Sequence, residues 1–321
     1  MQPTQSPSTG RIGEVIALFG PTGVGKTALA LALARRLRAG GEEPVAVSAD
    51  ALQVYEGIET LTGVASASEQ AELEHRLVSF LPLREAFSVG RYAKLAHAEI
   101  DGLIATGRRP IVVGGTGLYL RAALTQLDLR PPPAEGVRER WRVHLEREGA
   151  PALHAILSQR APEVAARLNP NDRQRVMRAL ELSETTTAAA GTADLMGGMA
   201  GEREPSQLWS EEMRRPTSLV GLTMERAELY VRIEDRVEEM LGAGAREEVL
   251  RADAAGASET ARKALGFEEL LAGDVEAMKR RTRNYAKRQL SWMRKLGGVR
   301  VIDVTGREPD EVAREILDSG A

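Results

Sequence analysis

The chain has 321 residues, of which 43% are hydrophobic and 28% charged, values typical of a globular protein with a sizeable core. It has no cysteine, which excludes disulfides and thiolate metal sites, and its four histidines lack metal-ligand spacing. The first ten residues lack the apolar segment of a signal peptide, and no stretch reaches the ~18 consecutive apolar residues of a membrane span. We therefore expect a cytoplasmic protein that makes no membrane contact.

Residues 20–27 read GPTGVGKT and match the complete G-x-x-x-x-G-K-[ST] loop that binds phosphate. An apolar run precedes the loop and an alanine- and leucine-rich stretch follows it, which is the strand-to-helix context that the motif requires. Glycines let backbone N–H groups converge on phosphate oxygens, Lys26 supplies a cation, and the Thr27 hydroxyl is placed to hold Mg²⁺. The phosphate-binding residues are therefore Gly20, Pro21, Thr22, Gly23, Val24, Gly25, Lys26 and Thr27. The motif leaves open which phosphorylated molecule is bound, and a turn that binds nothing is the alternative.

Two further predicted strands are followed by polar residues that are candidates for the same site. The strand over 44–48 is followed by Asp50 and Gln53, which we expect near the loop because the carboxyl ends of parallel strands face the ligand crevice. Capping of the next segment is the alternative role for Asp50. The strand over 110–113 ends in glycines followed by Thr116, whereas a nucleotide-hydrolysing P-loop enzyme ends this strand in an aspartate linked to Mg²⁺. This difference weakens an ATPase interpretation and favours a loop that lets a substrate approach the backbone.

The order of predicted elements gives the domain organisation. Residues 57–75 lack periodicity, 77–81 form a strand or turn, and Ser88 caps a helix over 89–106. The triple proline at 131–133 marks a boundary, and 185–206 have the composition of a flexible linker. Further helices are expected over 137–148, 151–160, 171–182, 225–242, 275–296 and 308–319, with strands over 219–222 and 299–304. We predict an α/β fold, a P-loop NTPase-like parallel sheet flanked by helices, in which 11–130 and 207–321 form the catalytic core and 131–206 a small all-helical insertion.

The net charge of −3 argues against a nucleic-acid partner, but the charge is unevenly distributed. Residues 279–295 contain eight basic residues and no acidic one, which predicts a local anion-binding surface. Pairing within this run cannot neutralise the basic side chains, because the run has no carboxylate. The apolar side of its helix would consist of Thr282, Ala286, Leu290 and Met293. Arg232 and Arg236 lie one turn apart on the helix over 225–242, and salt bridges to neighbouring glutamates are the simplest explanation for them.

Seven stretches, in order over about residues 14–305, together resemble the tRNA dimethylallyltransferases, also called tRNA isopentenylpyrophosphate transferases. They are GPTGVGKT (20–27), SADALQVY (48–55), GRRPIVVGGTGLYLRA (107–122), NPNDRQRVMRALEL (169–182), LYVRIEDRVEEML (229–241), ARKALGFEEL (261–270) and TRNYAKRQLSWMRK (282–295). The resemblance implies that the loop holds the diphosphate of dimethylallyl diphosphate. The five-carbon group would be transferred to N6 of adenosine-37, beside the anticodon of tRNA, giving N6-(dimethylallyl)adenosine and diphosphate.

The resemblance also implies roles for individual residues. Asp50 would be the general base, Lys26 and Arg236 would neutralise the diphosphate, and Thr116 would lie near the substrate channel. Mg²⁺, held by Thr27, is the implied cofactor, and the anticodon stem-loop is the implied partner of a monomeric enzyme. The implied tRNA contacts are Asp50, Ala51, Leu52, Gln53, Thr116, Arg138, Gln174, Arg175, Arg178, Arg283, Lys287 and Arg288. We predict that the basic helix and the segment over 135–182 form a clamp around the stem-loop.

The chain departs from the family pattern at 51–52, 61–64 and 172–175, and no substrate lysine can be assigned in 61–64. Three other functions are weighed against tRNA prenylation. An adenylate isopentenyltransferase would use the same donor on free AMP, ADP or ATP, but it would not need the segment over 135–182 or the basic helix. A small-molecule kinase would transfer a phosphoryl group from ATP. A nucleotide-gated RNA-binding protein would bind tRNA without consuming the donor.

Overall fold

The computed structural model describes residues 15–126, 133, 136–186 and 212–318. The chain divides into two compact units, a core unit of Met1–Gln126 with Glu211–Ala321 and a helical unit of Leu127–Ser210. No helix in the described part of the chain is long and apolar enough to cross a membrane. Most of the predicted linker over 185–206, and most of the proline boundary at 131–133, lies outside the described residues.

The core unit is built on a six-stranded sheet in which every neighbouring pair is parallel, in the order β3-β2-β4-β1-β5-β6. The strands are β1 (Val15–Phe19), β2 (Glu43–Ser48), β3 (His75–Arg76), β4 (Arg108–Gly114), β5 (Thr217–Thr223) and β6 (Arg300–Asp303). All five residues of β1 are buried, as expected for a central parallel strand covered on both faces. The predicted parallel α/β fold is confirmed.

Helices cover both faces of this sheet. In chain order, the first five are α1 (Lys26–Ala39), α2 (Glu59–Thr62), α3 (Ala67–Glu72), α4 (Val89–Ala105) and α5 (Gly117–Leu124). Ser88 caps α4 through a bond from the Arg91 N–H, as predicted. Of the predicted strand or turn over 77–81, residues 77–79 form a bend, in which Leu77 and Ser79 have positive φ angles of 60° and 44°. Leu81 forms an isolated parallel bridge with Tyr55, so the turn alternative is the one that agrees with the structure.

The helical unit contains α6 (Val137–Arg160), α7 (Pro162–Ala165) and α8 (Arg173–Thr186). Gly149 interrupts α6 with the non-helical angles φ 81° and ψ 167°, so α6 consists of the two helices predicted on either side of this residue. These helices pack around their own apolar cluster, which includes Trp141, Leu145, Leu153, Leu157, Val176 and Leu180. The unit thus has an independent core.

The core unit resumes with α9 (Arg226–Gly242), α10 (Ala245–Ala254), a 3₁₀ turn (Ala261–Lys263), α11 (Phe267–Leu271), α12 (Val275–Met293) and α13 (Pro309–Asp318). The helices α9, α12 and α13 agree with the predicted positions, whereas α10, the 3₁₀ turn and α11 were not predicted. In α12 the buried side includes Gln289, while Leu290 is only half-buried, so the predicted apolar side was wrong at this position. A polar side chain in this buried position points to a hydrogen-bonding role.

Candidate active site

The phosphate-binding loop joins the carboxyl end of β1 to α1. Gly23 and Gly25 have φ angles of 83° and 96°, in the left-handed region that favours glycine, and Gly25 is the N-cap residue of α1. A Cβ atom at Gly23 would lie 3.1 Å from Ile233 Cγ1, so α9 packs directly against the loop. The loop therefore has the backbone conformation and the helix N-terminus that an anion site needs.

Lys26 holds its ammonium over this loop. Its Nζ donates to the carbonyl oxygens of Gly20 and Pro21, at 2.9 Å each. Burial and the nearby charge of Arg236 together lower the pKa of Lys26 to about 7, against an opposing effect of Asp50. An anion bound at the loop would favour the charged form of this lysine.

The Thr27 hydroxyl is a candidate ligand for Mg²⁺. It is half-buried at the start of α1 and makes no hydrogen bond with the described residues. The described ranges contain no group of three or more His, Asp or Glu side chains that could hold a metal by themselves. Mg²⁺ at such loops takes most of its ligands from phosphate oxygens and water, so one hydroxyl fits this mode of binding.

Asp50 follows β2, and its two carboxylate oxygens have different partners. Oδ1 accepts a bond of 2.9 Å from the Leu52 N–H, which is the predicted capping role. Oδ2 lies 3.5 Å from the Thr116 hydroxyl oxygen, which in turn lies 3.2 Å from the Tyr285 hydroxyl on α12. Capping therefore leaves one carboxylate oxygen directed towards Thr116, and the general-base role stays a prediction.

Tyr285 was not singled out from the sequence. Burial and the charge of Asp50 raise the pKa of Tyr285 to about 12, against smaller opposing effects of Thr116, Arg288 and Gln289. The hydroxyl is therefore neutral near pH 7 and can donate a hydrogen bond next to the carboxylate.

Gln289, also on α12, connects two loops of the site. Its Oε1 accepts from the Thr22 N–H at 2.9 Å, and its Nε2 donates to the Gly115 carbonyl at 2.9 Å. The side chain is 4% exposed. One signal was available from the sequence, because Tyr285 and Gln289 are four residues apart and therefore share one face of the predicted helix.

The glycines after β4 were predicted to let a substrate approach the backbone, but the structure gives them another role. A Cβ atom at Gly115 would lie 2.2 Å from Gln289 Nε2, and one at Gly117 would lie 2.4 Å from Trp292 Cε3. The element that approaches these glycines is thus α12, which packs closely against the loop that carries Thr116.

Arg236 and its neighbour Arg232 differ in their surroundings. Arg232 forms the expected salt bridge with Glu228, at 2.8 Å. Arg236 has no ion pair or hydrogen bond with any residue in the described ranges, and burial lowers its pKa. The alternative explanation, a salt bridge to a neighbouring glutamate, therefore holds for Arg232 but not for Arg236, whose guanidinium is left available for an anionic ligand.

A cavity of about 240 Å³ within the core unit brings several of these groups together. Thr22 lines it from the phosphate-binding loop, whereas Lys26 and Thr27 are not among its lining residues. Its polar lining includes Thr22, Asp50, Thr116, Arg236, Tyr285 and Arg288. Its apolar lining includes Leu61, Ile233, Val237, Met240, Leu265 and Met278. One concave site thus combines cations, a carboxylate and an apolar wall, as expected for a ligand that is both anionic and hydrocarbon in part.

Of the three residues that follow Asp50, two line the cavity and the third is hydrogen-bonded inside the protein. Ala51 and Leu52 line the cavity, and their contact with tRNA stays a prediction. Gln53 is engaged internally, because its Oε1 accepts from the Ser48 hydroxyl at 2.8 Å and its Nε2 donates to the Gly63 carbonyl at 2.9 Å. In this conformation Gln53 ties the end of β2 to the end of α2.

The basic helix α12 presents its cations on two different sides. Arg288 lines the cavity, whereas Arg283 and Lys287 lie over the ring of Tyr230 on α9, at 5.9 Å and 6.0 Å from its centre. Arg283 also pairs with Glu234 of α9, at 2.6 Å. The run itself offers no acidic partner, as the sequence shows, and Arg283 takes its partner from another helix.

In the helical unit, two predicted tRNA contacts share a buried carboxylate. Arg138 and Arg178 donate to Glu181 at 2.8 Å and 2.9 Å, and Glu181 is 0% exposed. Gln174 and Arg175 are exposed on α8, where Arg175 lies 3.5 Å from Asp172. Contact of these four residues with tRNA stays a prediction. Arg138 also joins α6 to α8 through Glu181, whereas Arg178 pairs with Glu181 within α8.

Comparisons with known proteins agree on one family. A family model described as IPP transferase matches residues 53–296, and one described as isopentenyl transferase matches 13–90. A tRNA dimethylallyltransferase of Rhodospirillum centenum is 41% identical over 295 residues, covering 87% of this chain and 88% of that protein. One from Anaeromyxobacter dehalogenans is 39% identical over 317 residues, covering 94% and 98%.

Solved structures give the same result. A tRNA isopentenylpyrophosphate transferase from Bacillus halodurans superposes with a TM-score of 0.65 at 32% identity, covering 96% of this chain and 95% of that one. A eukaryotic dimethylallyltransferase acting on tRNA superposes with a TM-score of 0.69 at 26% identity, covering 91% of this chain and 74% of that one.

The pKa of Lys26 leads to a testable pH dependence. Below about pH 6 the Lys26 ammonium is charged, and as the pH rises through 7 the free protein loses this charge. Binding of inorganic diphosphate should therefore weaken by up to ~10-fold per pH unit. Titration calorimetry between pH 6 and 8.5 measures this. Lys26→Arg is the control, because a guanidinium stays charged throughout and the ionisation of diphosphate itself affects both proteins equally. Parallel pH profiles for the two proteins would contradict the lowered pKa.

Proposed function

Because the chain belongs to the tRNA dimethylallyltransferase family, we propose that it transfers the dimethylallyl group of dimethylallyl diphosphate to N6 of adenosine-37 in tRNA. The observation that carries the proposal is the composition of the cavity at the carboxyl edge of the sheet. There a phosphate-binding loop faces a carboxylate, and the strand β4 ends in Gly114 rather than in an aspartate. Such a site suits a reaction in which diphosphate departs from carbon and no phosphorus is attacked. We further propose that the protein acts as a monomer in the cytoplasm.

The donor would bind with its diphosphate at the loop. Backbone N–H groups, Lys26 and Arg236 would neutralise the charge that grows on the diphosphate as the bond between C1 and oxygen breaks. Mg²⁺, held by the Thr27 hydroxyl and by diphosphate oxygens, would add positive charge to the leaving group when bound. The apolar lining of the cavity offers the five-carbon chain a surface away from water.

The acceptor would bind with N6 close to Asp50. The N6 lone pair forms the new bond to C1, the electrons of the broken C1–O bond leave with diphosphate, and the N6 proton passes to Asp50 Oδ2. The Thr116 hydroxyl, 3.5 Å from that oxygen and 3.2 Å from the Tyr285 hydroxyl, would help to hold the carboxylate in place. Since the cavity is concave, the adenine would have to leave its stack to reach it.

The adenylate isopentenyltransferase alternative is less favoured. It accounts for the loop and the cavity equally well, but it gives no role to the helical unit with its exposed Gln174 and Arg175, or to the cations of α12. These surfaces suit an acceptor that carries a phosphate backbone.

The proposed acceptor can be tested with an anticodon stem-loop RNA that has adenosine at position 37. With dimethylallyl diphosphate and Mg²⁺, we expect N6-(dimethylallyl)adenosine in that RNA and none in AMP, as read by mass spectrometry of the nucleosides. The matched control is the same RNA with guanosine at 37, which has no N6 amine. Modification of AMP in place of RNA would support the alternative.

In the same assay, Asp50→Asn tests the base. The amide keeps the shape but accepts the N6 proton poorly, so single-turnover transfer should fall by ~100-fold or more while the RNA dissociation constant changes little. Retention of most of the rate would mean that Asp50 serves only as the cap of the Leu52 N–H.

The salt dependence of tRNA binding tests which cations of α12 contact phosphate. Each phosphate contact contributes about 0.7–0.9 to the slope of log affinity against log salt concentration. Arg288→Ala should flatten the slope by about that amount, because Arg288 has no carboxylate partner among the described residues. Arg283→Ala should change the slope less, because Arg283 is already paired with Glu234. Unchanged slopes for both variants and for the double variant would mean that neither Arg283 nor Arg288 contacts phosphate.

A further inference from the structure

The hydrogen bonds of Gln289 join the two halves of the site through a single side chain. The Thr22 N–H belongs to the loop proposed to bind the donor, and the Gly115 carbonyl immediately precedes Thr116 on the acceptor side. Both bonds are 2.9 Å long, and the amide that makes them is 4% exposed. A planar amide of fixed length therefore separates the two loops.

The packing around Gln289 leaves this amide little freedom. The nearest approach is at Gly115, where even a Cβ atom would lie 2.2 Å from Nε2. One turn before Gln289 on α12, the Tyr285 hydroxyl contacts the Thr116 hydroxyl. Near the end of the same helix, the ring of Trp292 packs against Gly117. Three side chains of one helix thus fix the loop that follows β4, and Gln289 also reaches the phosphate-binding loop through its bond with the Thr22 N–H.

We infer that Gln289 is a positioning residue, which sets the distance between the diphosphate loop and the pair formed by Asp50 and Thr116. This inference rests on the proposed function. In that reaction, the distance between the loops fixes how close C1 of the donor comes to N6 of the adenine. A misplacement of about 1 Å in such a geometry can cost ~100-fold in rate. Gln289 touches neither reacting group, so its loss should affect the chemical step more than the binding of either substrate.

Two variants test this. Gln289→Met keeps the length of the side chain but makes neither hydrogen bond, and Gln289→Glu keeps an acceptor for the Thr22 N–H while placing a carboxylate oxygen against the Gly115 carbonyl. We expect kcat to fall by ~100-fold in the first and by ~10-fold or more in the second. The KM for the donor and the dissociation constant of the tRNA should stay within about threefold of the wild-type values.

The matched control is Gln70→Glu. The Gln70 amide also donates to a backbone carbonyl, that of Ala65 at 2.7 Å, but it lies exposed on α3. This variant should retain wild-type kcat. Binding of tRNA and inorganic diphosphate by each Gln289 variant shows that it is folded, and the milder Gln289→Glu variant provides the test if Gln289→Met fails to bind both.

Three outcomes would overturn the inference. The first is a wild-type kcat in both Gln289 variants. The second is an increase in KM with unchanged kcat in these variants. The third is a fall in the kcat of Gln70→Glu as large as that of Gln289→Glu. Failure of the proposed function is a separate result, because in that case the wild-type protein itself would transfer nothing to the stem-loop RNA.

Discussion

The parallel register of the sheet is the constraint on which the site depends. Phe19 at the end of β1 pairs with Gly114 at the end of β4, and Ser48 at the end of β2 pairs with Val113. Three strands therefore end at one edge, and the chain leaves that edge in the phosphate-binding loop, in Asp50 and in the loop of Thr116. Side chains from distant parts of the sequence converge there because the strands do, and α12 packs across the same edge to hold the loops in place.

The electrostatics of this edge favour an anionic ligand. Burial disfavours the charged forms of Lys26 and Arg236, and among the described residues no carboxylate pairs with Arg236. A diphosphate at the loop would supply the missing negative charge and restore the charge of Lys26. The negative charge of Asp50 acts on both Lys26 and Arg236, and its Oδ2 lies 3.5 Å from the Thr116 hydroxyl, where it can face an amine.

The features predicted from the sequence are those set by neighbouring residues. The loop motif, the cap at Ser88 and the strand end at Asp50 each depend on a few consecutive positions, and the structure places them as expected. The missed features join distant positions. Gln289 bonds to the Thr22 N–H across 267 residues, and Arg283 pairs with Glu234 across 49. The charges within one helix do not show whether a carboxylate on another helix will pair with them. The position of a glutamine among apolar residues of a helix does not show which backbone groups it will bond to.

In the proposed reaction, the donor bound at the loop gives up a carbon group and not a phosphoryl group. Dimethylallyl diphosphate labelled with ¹⁴C in the allyl group and with ³²P in the diphosphate tests it most directly, with tRNA as acceptor. We expect ¹⁴C to enter the RNA while ³²P is released as intact diphosphate in equal amount. Recovery of ³²P in the acceptor, or release of diphosphate without ¹⁴C in the RNA, would contradict it.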